Sequence, residues 1–165
     1  MLFTDVGYDC YVQTEKIKFI ISYLNTKTVS LLVKEAEESL RLFNMTTNKS
    51  TLSLVVLEDN TVLRSPLKAC TIYDRVKSSG GKLYQVDPDY YISVLHIKAI
   101  TASSSFMAMN SKRKAVIAGN DLQFVRQRES KETTIFMTTG ETVSLSKYTQ
   151  DIIDEMNRQF VLQTK

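Results

Sequence analysis

Residues 6–20 read VGYDCYVQTEKIKFI, and residues 86–100 read VDPDYYISVLHIKAI. At a constant offset of 80, Val6, Asp9, Tyr11, Ile17, Lys18 and Ile20 meet Val86, Asp89, Tyr91, Ile97, Lys98 and Ile100, and Val12 meets Ile92. Self-similarity at a fixed spacing is the mark of a repeated structural unit. Further along, the offset reads as 81: Thr61-Val62 meets Thr142-Val143, Ser65 meets Ser146, and Ile72 meets Ile153. Register held at both ends of both stretches divides the chain into a first unit over residues 1–77, a linker over 78–82 around Gly80-Gly81, and a second, diverged unit over 83–165.

Working outward, the first copy sets the expected element order. Residues 2–6, 10–14 and 17–23 are rich in β-formers, with Gly7 breaking the first pair. Val29, Leu32, Val33, Ala36 and Leu40 fall at helical spacing, Thr28 stands where an N-cap belongs, and Lys34, Glu35, Glu37, Glu38 and Arg41 mark the solvated face. Leu52–Leu57 reads as an apolar strand, and Glu58-Asp59-Asn60 as a turn into Thr61-Val62-Leu63. Ser65-Pro66 offers a cap and a first-turn proline for a helix running to about Val76.

The second copy repeats this with strands at 83–86, 90–93 and 97–101 and a hairpin of 133–138 and 142–145. A closing helix follows, with Ile152, Ile153, Met156 and Phe160 as its apolar stripe. Its middle helix, over 106–117, lacks a clean stripe. The expected fold class is α+β: two tandem copies of a small unit of antiparallel strands with a middle helix and a C-terminal helix.

Composition narrows the function classes. Hydrophobic residues make up 43% and charged residues 24% of 165, with only two prolines, which suits a well-cored globular chain. No stretch reaches the roughly 18 apolar residues of a membrane span. Met1-Leu2-Phe3-Thr4-Asp5 lacks the basic start of an export signal, so a cytoplasmic protein with reduced Cys10 and Cys70 is expected.

The order DVGYDCYV (5–12), KIKFII (16–21), LLVKEAEESLRLFNMTTNK (31–49) and LSLVVLEDNTVLRSPL (52–67) resembles the RemA-type biofilm-matrix regulators. The second copy matches more faintly, chiefly at AGNDLQFVRQRESKETTIFM (118–137) and its closing helix. The resemblance implies a small α+β fold, ring-like homo-oligomers and double-stranded DNA binding in transcription regulation, without enzyme activity. It implies two basic positions for DNA. One precedes the second strand, here Lys16, with His96 in the second copy. The other lies in a Gly-Arg-Arg-like loop, here Asn48-Lys49-Ser50, and Gln127-Arg128-Glu129 in the second copy. Only Lys49 and Arg128 keep a charge in that loop, and phosphate affinity falls steeply as such contacts are lost.

Net charge is +3, divided as +1 for residues 1–80 and +2 for 81–165, modest for a nucleic-acid binder. The second copy concentrates Lys112, Arg113, Lys114, Arg126, Arg128 and Lys131, which would form a positive patch if helix and loop face one way. Catalytic signals are sparse: one histidine, two cysteines without metal-ligand spacing, and a Gly80-Gly81-Lys82 that lacks the rest of a phosphate loop. No metal, cofactor or small-molecule substrate is indicated, and no enzyme is expected. Two classes remain: a DNA-binding regulator that assembles with itself, and a structural or adaptor subunit of a larger assembly, for example a virion.

Overall fold

The computed structural model describes residues 2–102 and 132–160. It is mixed α+β, and its strands pair antiparallel with one exception. Two compact units divide after His96: Met1–His96 and Ile97–Lys165.

In the first unit, β1 (Phe3–Asp5) and β2 (Tyr11–Gln13) form a hairpin, followed by β3 (Ile17–Ser22) and α1 (Lys27–Glu38). Next come β4 (Leu42–Asn44), β5 (Ser53–Leu57), β6 (Val62–Ser65) and α2 (Ala69–Ser78). A second hairpin, β7 (Leu83–Asp87) and β8 (Tyr90–Ser93), completes the unit. Six of these strands form one sheet in the order β4-β6-β5-β3-β8-β7. β5 is central, and its unbroken Leu54-Val55-Val56 is buried, as a strand covered on both faces requires.

Helix α2 buries Ala69, Ile72 and Val76 against the sheet, at i, i+3 and i+7. They join Val6, Ile17, Ile20, Val55, Leu63, Leu83 and Tyr91 in one core. The Arg75 guanidinium ties α2 to β1 through the Asp5 carboxylate at 3.2 Å.

Several details differ from the sequence expectation, each for a physical reason. The cap of α1 is Thr26 rather than Thr28; its hydroxyl accepts from the Val29 N–H at 3.3 Å. Leu40 does not extend the helix stripe. It sits just past the end of α1 in the left-handed region (φ 58°), while Leu40 N–H and Arg41 N–H donate back to the Glu37 and Ala36 carbonyls. The short β4 that follows was not expected; it pairs parallel to β6. Ser65-Pro66 does not open a helix either. Ser65 ends β6, its Oγ donates to the Val6 carbonyl at 2.5 Å, and α2 begins at Ala69.

The second unit has β9 (Ile97–Ala102), β10 (Thr133–Met137), β11 (Thr142–Leu145) and α3 (Thr149–Phe160), with a sheet in the order β11-β10-β9. The middle helix expected over 106–117 lies outside the described residues.

Pairing in this unit recurs at a spacing of 80. Ile20↔Val55 and Ile21↔Leu54 in β3–β5 correspond to Ile100↔Ile135 and Thr101↔Thr134 in β9–β10, and the register shift after Ile17 recurs after Ile97. The Leu57 N–H donates to the Thr61 carbonyl at 2.8 Å, and the Met137 N–H to the Glu141 carbonyl at 2.9 Å. The spacing does not slip to 81 in the closing helix. Ile72 and Ile152 are the fully buried pair, and Ile153 is only half-buried.

Residues 78–82 are not a free tether. Ser78 still belongs to α2, and the Gly81 N–H donates to the Val76 carbonyl at 2.9 Å. A Cβ on Gly81 would stand 2.4 Å from Val76 Cγ1 and 2.8 Å from Thr14 Cγ2, so only glycine allows this approach. The chain turns tightly there, and β7–β8 joins the first unit's sheet through β8 against β3. Packing thus crosses the 78–82 boundary read from the sequence.

Candidate nucleic-acid interface

Lys16 and Lys49 are the two expected DNA-contacting residues within the described part of the chain. Lys112, Arg113, Lys114, Arg126, Arg128 and Lys131 lie outside it, as does Gln127-Arg128-Glu129 as a loop.

Lys49 closes a tight turn after β4. Its N–H donates to the Thr46 and Thr47 carbonyls at 3.0 and 2.7 Å, and Thr47 and Asn48 both take left-handed conformations. Asn44 Oδ1 stabilises the turn by accepting from the Thr46 N–H at 2.9 Å and from the Thr46 hydroxyl. The exposed Lys49 ammonium stands 5.4 Å from the centroid of the Tyr8 ring. A cation over an aromatic face gains about 0.5–1 kcal/mol at exposed sites. The contact orients the ammonium, and among the described residues no carboxylate is paired with it.

Lys16, at the entry to β3, is held differently. Its Nζ donates to Glu58 Oε1 at 2.6 Å. The Glu58 hydrogen bond, reinforced by that carboxylate's charge, pushes the Lys16 ammonium above its usual range. Lys16 therefore stays cationic, but Glu58 offsets its field, and a phosphate would have to compete with that carboxylate.

The second-copy counterpart of Lys16, His96, converges on the same acid. It is buried, its Nε2 lies 2.7 Å from the Glu15 carbonyl oxygen, and Glu58 Oε2 is 4.0 Å away. Lys16 and His96 thus meet at Glu58, whereas Lys49 belongs to a different cluster with Tyr8.

Two further basic residues were not singled out from sequence. The Arg64 guanidinium lies 5.2 Å from the Tyr23 ring centroid and donates to its hydroxyl at 3.0 Å. Lys18, fully buried, donates to Asn60 Oδ1 at 2.6 Å. Their partners lie about 40 residues away, beyond any local pattern.

Burial, with the Asp5 charge, pushes the Cys10 thiol up and disfavours the thiolate. Burial likewise pushes the Tyr91 phenol up. Among the described residues no group of three or more His, Cys, Asp or Glu side chains could hold a metal ion. Nor is any described helix long and apolar enough to cross a membrane.

The model of the RemA-like family, described as extracellular matrix regulatory protein A-like, matches residues 3–76. The match runs from β1 to the end of the buried stripe of α2 and shows the RemA-like resemblance over that segment. No curated protein matches the chain.

Proposed function

We propose that this chain is a non-enzymatic, cytoplasmic regulator of transcription that assembles with itself and binds double-stranded DNA. The observation that carries the reading is the match of residues 3–76 to a family described as a matrix regulatory protein. Lys49 supports it from the first copy, exposed at a loop tip with its ammonium over Tyr8. The sequence cluster of Lys112, Arg113, Lys114, Arg126, Arg128 and Lys131 would supply the second copy's share. With a net charge of +3, a single chain would bind weakly. Repetition of a weak site around a ring-like homo-oligomer raises the effective affinity through multivalency.

The test is a gel shift with duplex DNA across a salt series, comparing wild type with Lys49→Ala/Arg128→Ala. Each phosphate contact contributes about 0.9 to the slope of log affinity against log salt, so the double variant should flatten the slope by about 2. No shift by the wild type even at low salt would exclude DNA binding. It would favour the second reading, a structural or adaptor subunit, to which one observation points: Glu58 already compensates Lys16.

A further inference from the structure

The first unit contains a junction between the two sequence copies, and that junction is a template. The β7–β8 hairpin of the second copy lies along β3 of the first, with Phe19↔Ile92, Ile20↔Tyr91 and Ile21↔Tyr90 paired. The Ser22 N–H donates to the Asp89 carbonyl at 2.8 Å, which makes Ile21↔Tyr90 a pair without mutual hydrogen bonds. One face of this hairpin enters the core: Leu83 is 3% exposed and Tyr91 2%, and Tyr91 stacks on Tyr73 of α2 with ring centroids 4.6 Å apart.

Eighty residues earlier, the β1–β2 hairpin has the same register, Phe3↔Gln13 matching Leu83↔Ser93 and Asp5↔Tyr11 matching Gln85↔Tyr91. Its corresponding face is half-open. Phe3 is 49% exposed and Tyr11 59%, and among the described strands β2 pairs only with β1.

Among the described strands, the receiving half of the junction is also present without a guest. β9, the counterpart of β3, forms the outer edge of its sheet among the described strands. Ile17 and Ile20 are fully buried, whereas their counterparts Ile97 and Ile100 are only half-buried. The chain thus carries a hairpin whose Phe3 and Tyr11 are half-exposed and, among the described strands, an edge with half-buried isoleucines. Each is the counterpart of an element whose partner is seen. Unpaired edges invite a strand from another molecule, and a hairpin of matching register is the natural occupant.

We propose that the β1–β2 hairpin of one molecule pairs along β9 of a second copy in the register that β7–β8 takes on β3. In that register Val12 stands opposite Ala99, Tyr11 opposite Ile100 and Cys10 opposite Thr101 of the neighbour. Tyr11 and Phe3 then cover the neighbour's Ile97 and Ile100 beside α3, as Tyr91 and Leu83 lie beside α2. The contact is head-to-tail: each molecule gives a hairpin from its first unit and an edge from its second, so the assembly closes into a ring or runs on as a filament. The inference rests on the self-assembly part of the reading above and on none of its DNA part.

The native Cys10 makes the register testable. Cys10 and Thr101 would form a pair without mutual hydrogen bonds, with Cα atoms about 4.5 Å apart, inside the range that a disulfide spans. In a Cys70→Ser background, Thr101→Cys should give an oxidised ladder of dimers and higher species on a non-reducing gel. Copper-phenanthroline in mildly alkaline buffer serves as oxidant, because the Cys10 thiol is held up. Digestion should release a peptide joining Cys10 to the new cysteine at 101.

Ala99→Cys in the same background should give little ladder, since that position lies diagonal to Cys10. A folded Thr101→Cys variant with no ladder, equal ladders from 99 and 101, or a link within one chain would each overturn the pairing. The wild type gives an independent reading without any substitution. Amide exchange across Ile97–Ala102 should slow as protein concentration rises, and exchange indifferent to concentration would overturn it too. Both experiments are read without DNA, so their result is separate from the fate of the DNA-binding proposal.

Discussion

Leu40 shows how a residue can oppose both its sequence pattern and its backbone. By spacing it continues the apolar stripe of α1, yet it is 88% exposed and held at φ 58°. A β-carbon in the left-handed region costs about 1–2 kcal/mol, and an exposed side chain returns little of that in packing. Leu40→Gly should therefore stabilise the fold, after glycine's own entropic cost, by about 0.5–1 kcal/mol. Chemical denaturation would show it as a higher midpoint with an unchanged slope; a lower midpoint would mean that Leu40 makes a stabilising contact after all. The pattern predicted Leu40 as core because periodicity alone does not say where a helix stops. The stop comes from backbone hydrogen bonds that Ala36 and Glu37 accept. Lys16 was legible as a basic position ahead of a strand, but its pairing was not, because Glu58 lies 42 residues away.

Among elements, those with strong local patterns were readable, and those fixed by neighbours were not. β5, the 58–60 turn and the two hairpins follow from apolar runs and turn residues and stand where expected. β4 is three residues long and exists because β6 offers it an edge, so nothing in Leu42-Phe43-Asn44 announces it. Ser65-Pro66 carries a helix-start signal, and the Ser65 oxygen accepts from the Leu67 N–H at 3.1 Å as a cap would. Its hydroxyl also donates to the Val6 carbonyl, 59 residues away, and the helix begins only at Ala69.

The two hairpins give a sharp element-level contrast. Tyr91→Ala removes a buried ring stacked on Tyr73 and should destabilise by about 3–5 kcal/mol, the usual range for deleting a buried aromatic. Tyr11→Ala, at the corresponding position of the first hairpin, should cost under about 0.5 kcal/mol in dilute protein, as an exposed position does. Urea unfolding of the two variants side by side measures the difference, and equal costs would contradict the burial that separates the hairpins.

For the whole molecule, the similarity of residues 6–20 and 86–100 says nothing of how the strands are packed. Sequence similarity places the boundary near Gly80-Gly81, whereas compactness places it after His96, because the second copy's hairpin is built into the first unit's sheet. No local signal encodes that exchange; it depends on β8 finding the edge of β3. The same exchange, carried between molecules, would join a chain of modest charge into an array that presents Lys49 many times over. Assembly is thus the premise on which both the DNA reading and the strand pairing stand.

Light scattering tests it most directly, comparing the molar mass of wild type with that of Tyr11→Asp, which places a charge on the half-open hairpin face. Wild type is expected at a multiple of the 18.8 kDa chain and a folded Tyr11→Asp variant at 18.8 kDa. A wild type that stays at 18.8 kDa at every concentration, or a variant that assembles as the wild type does, would contradict it.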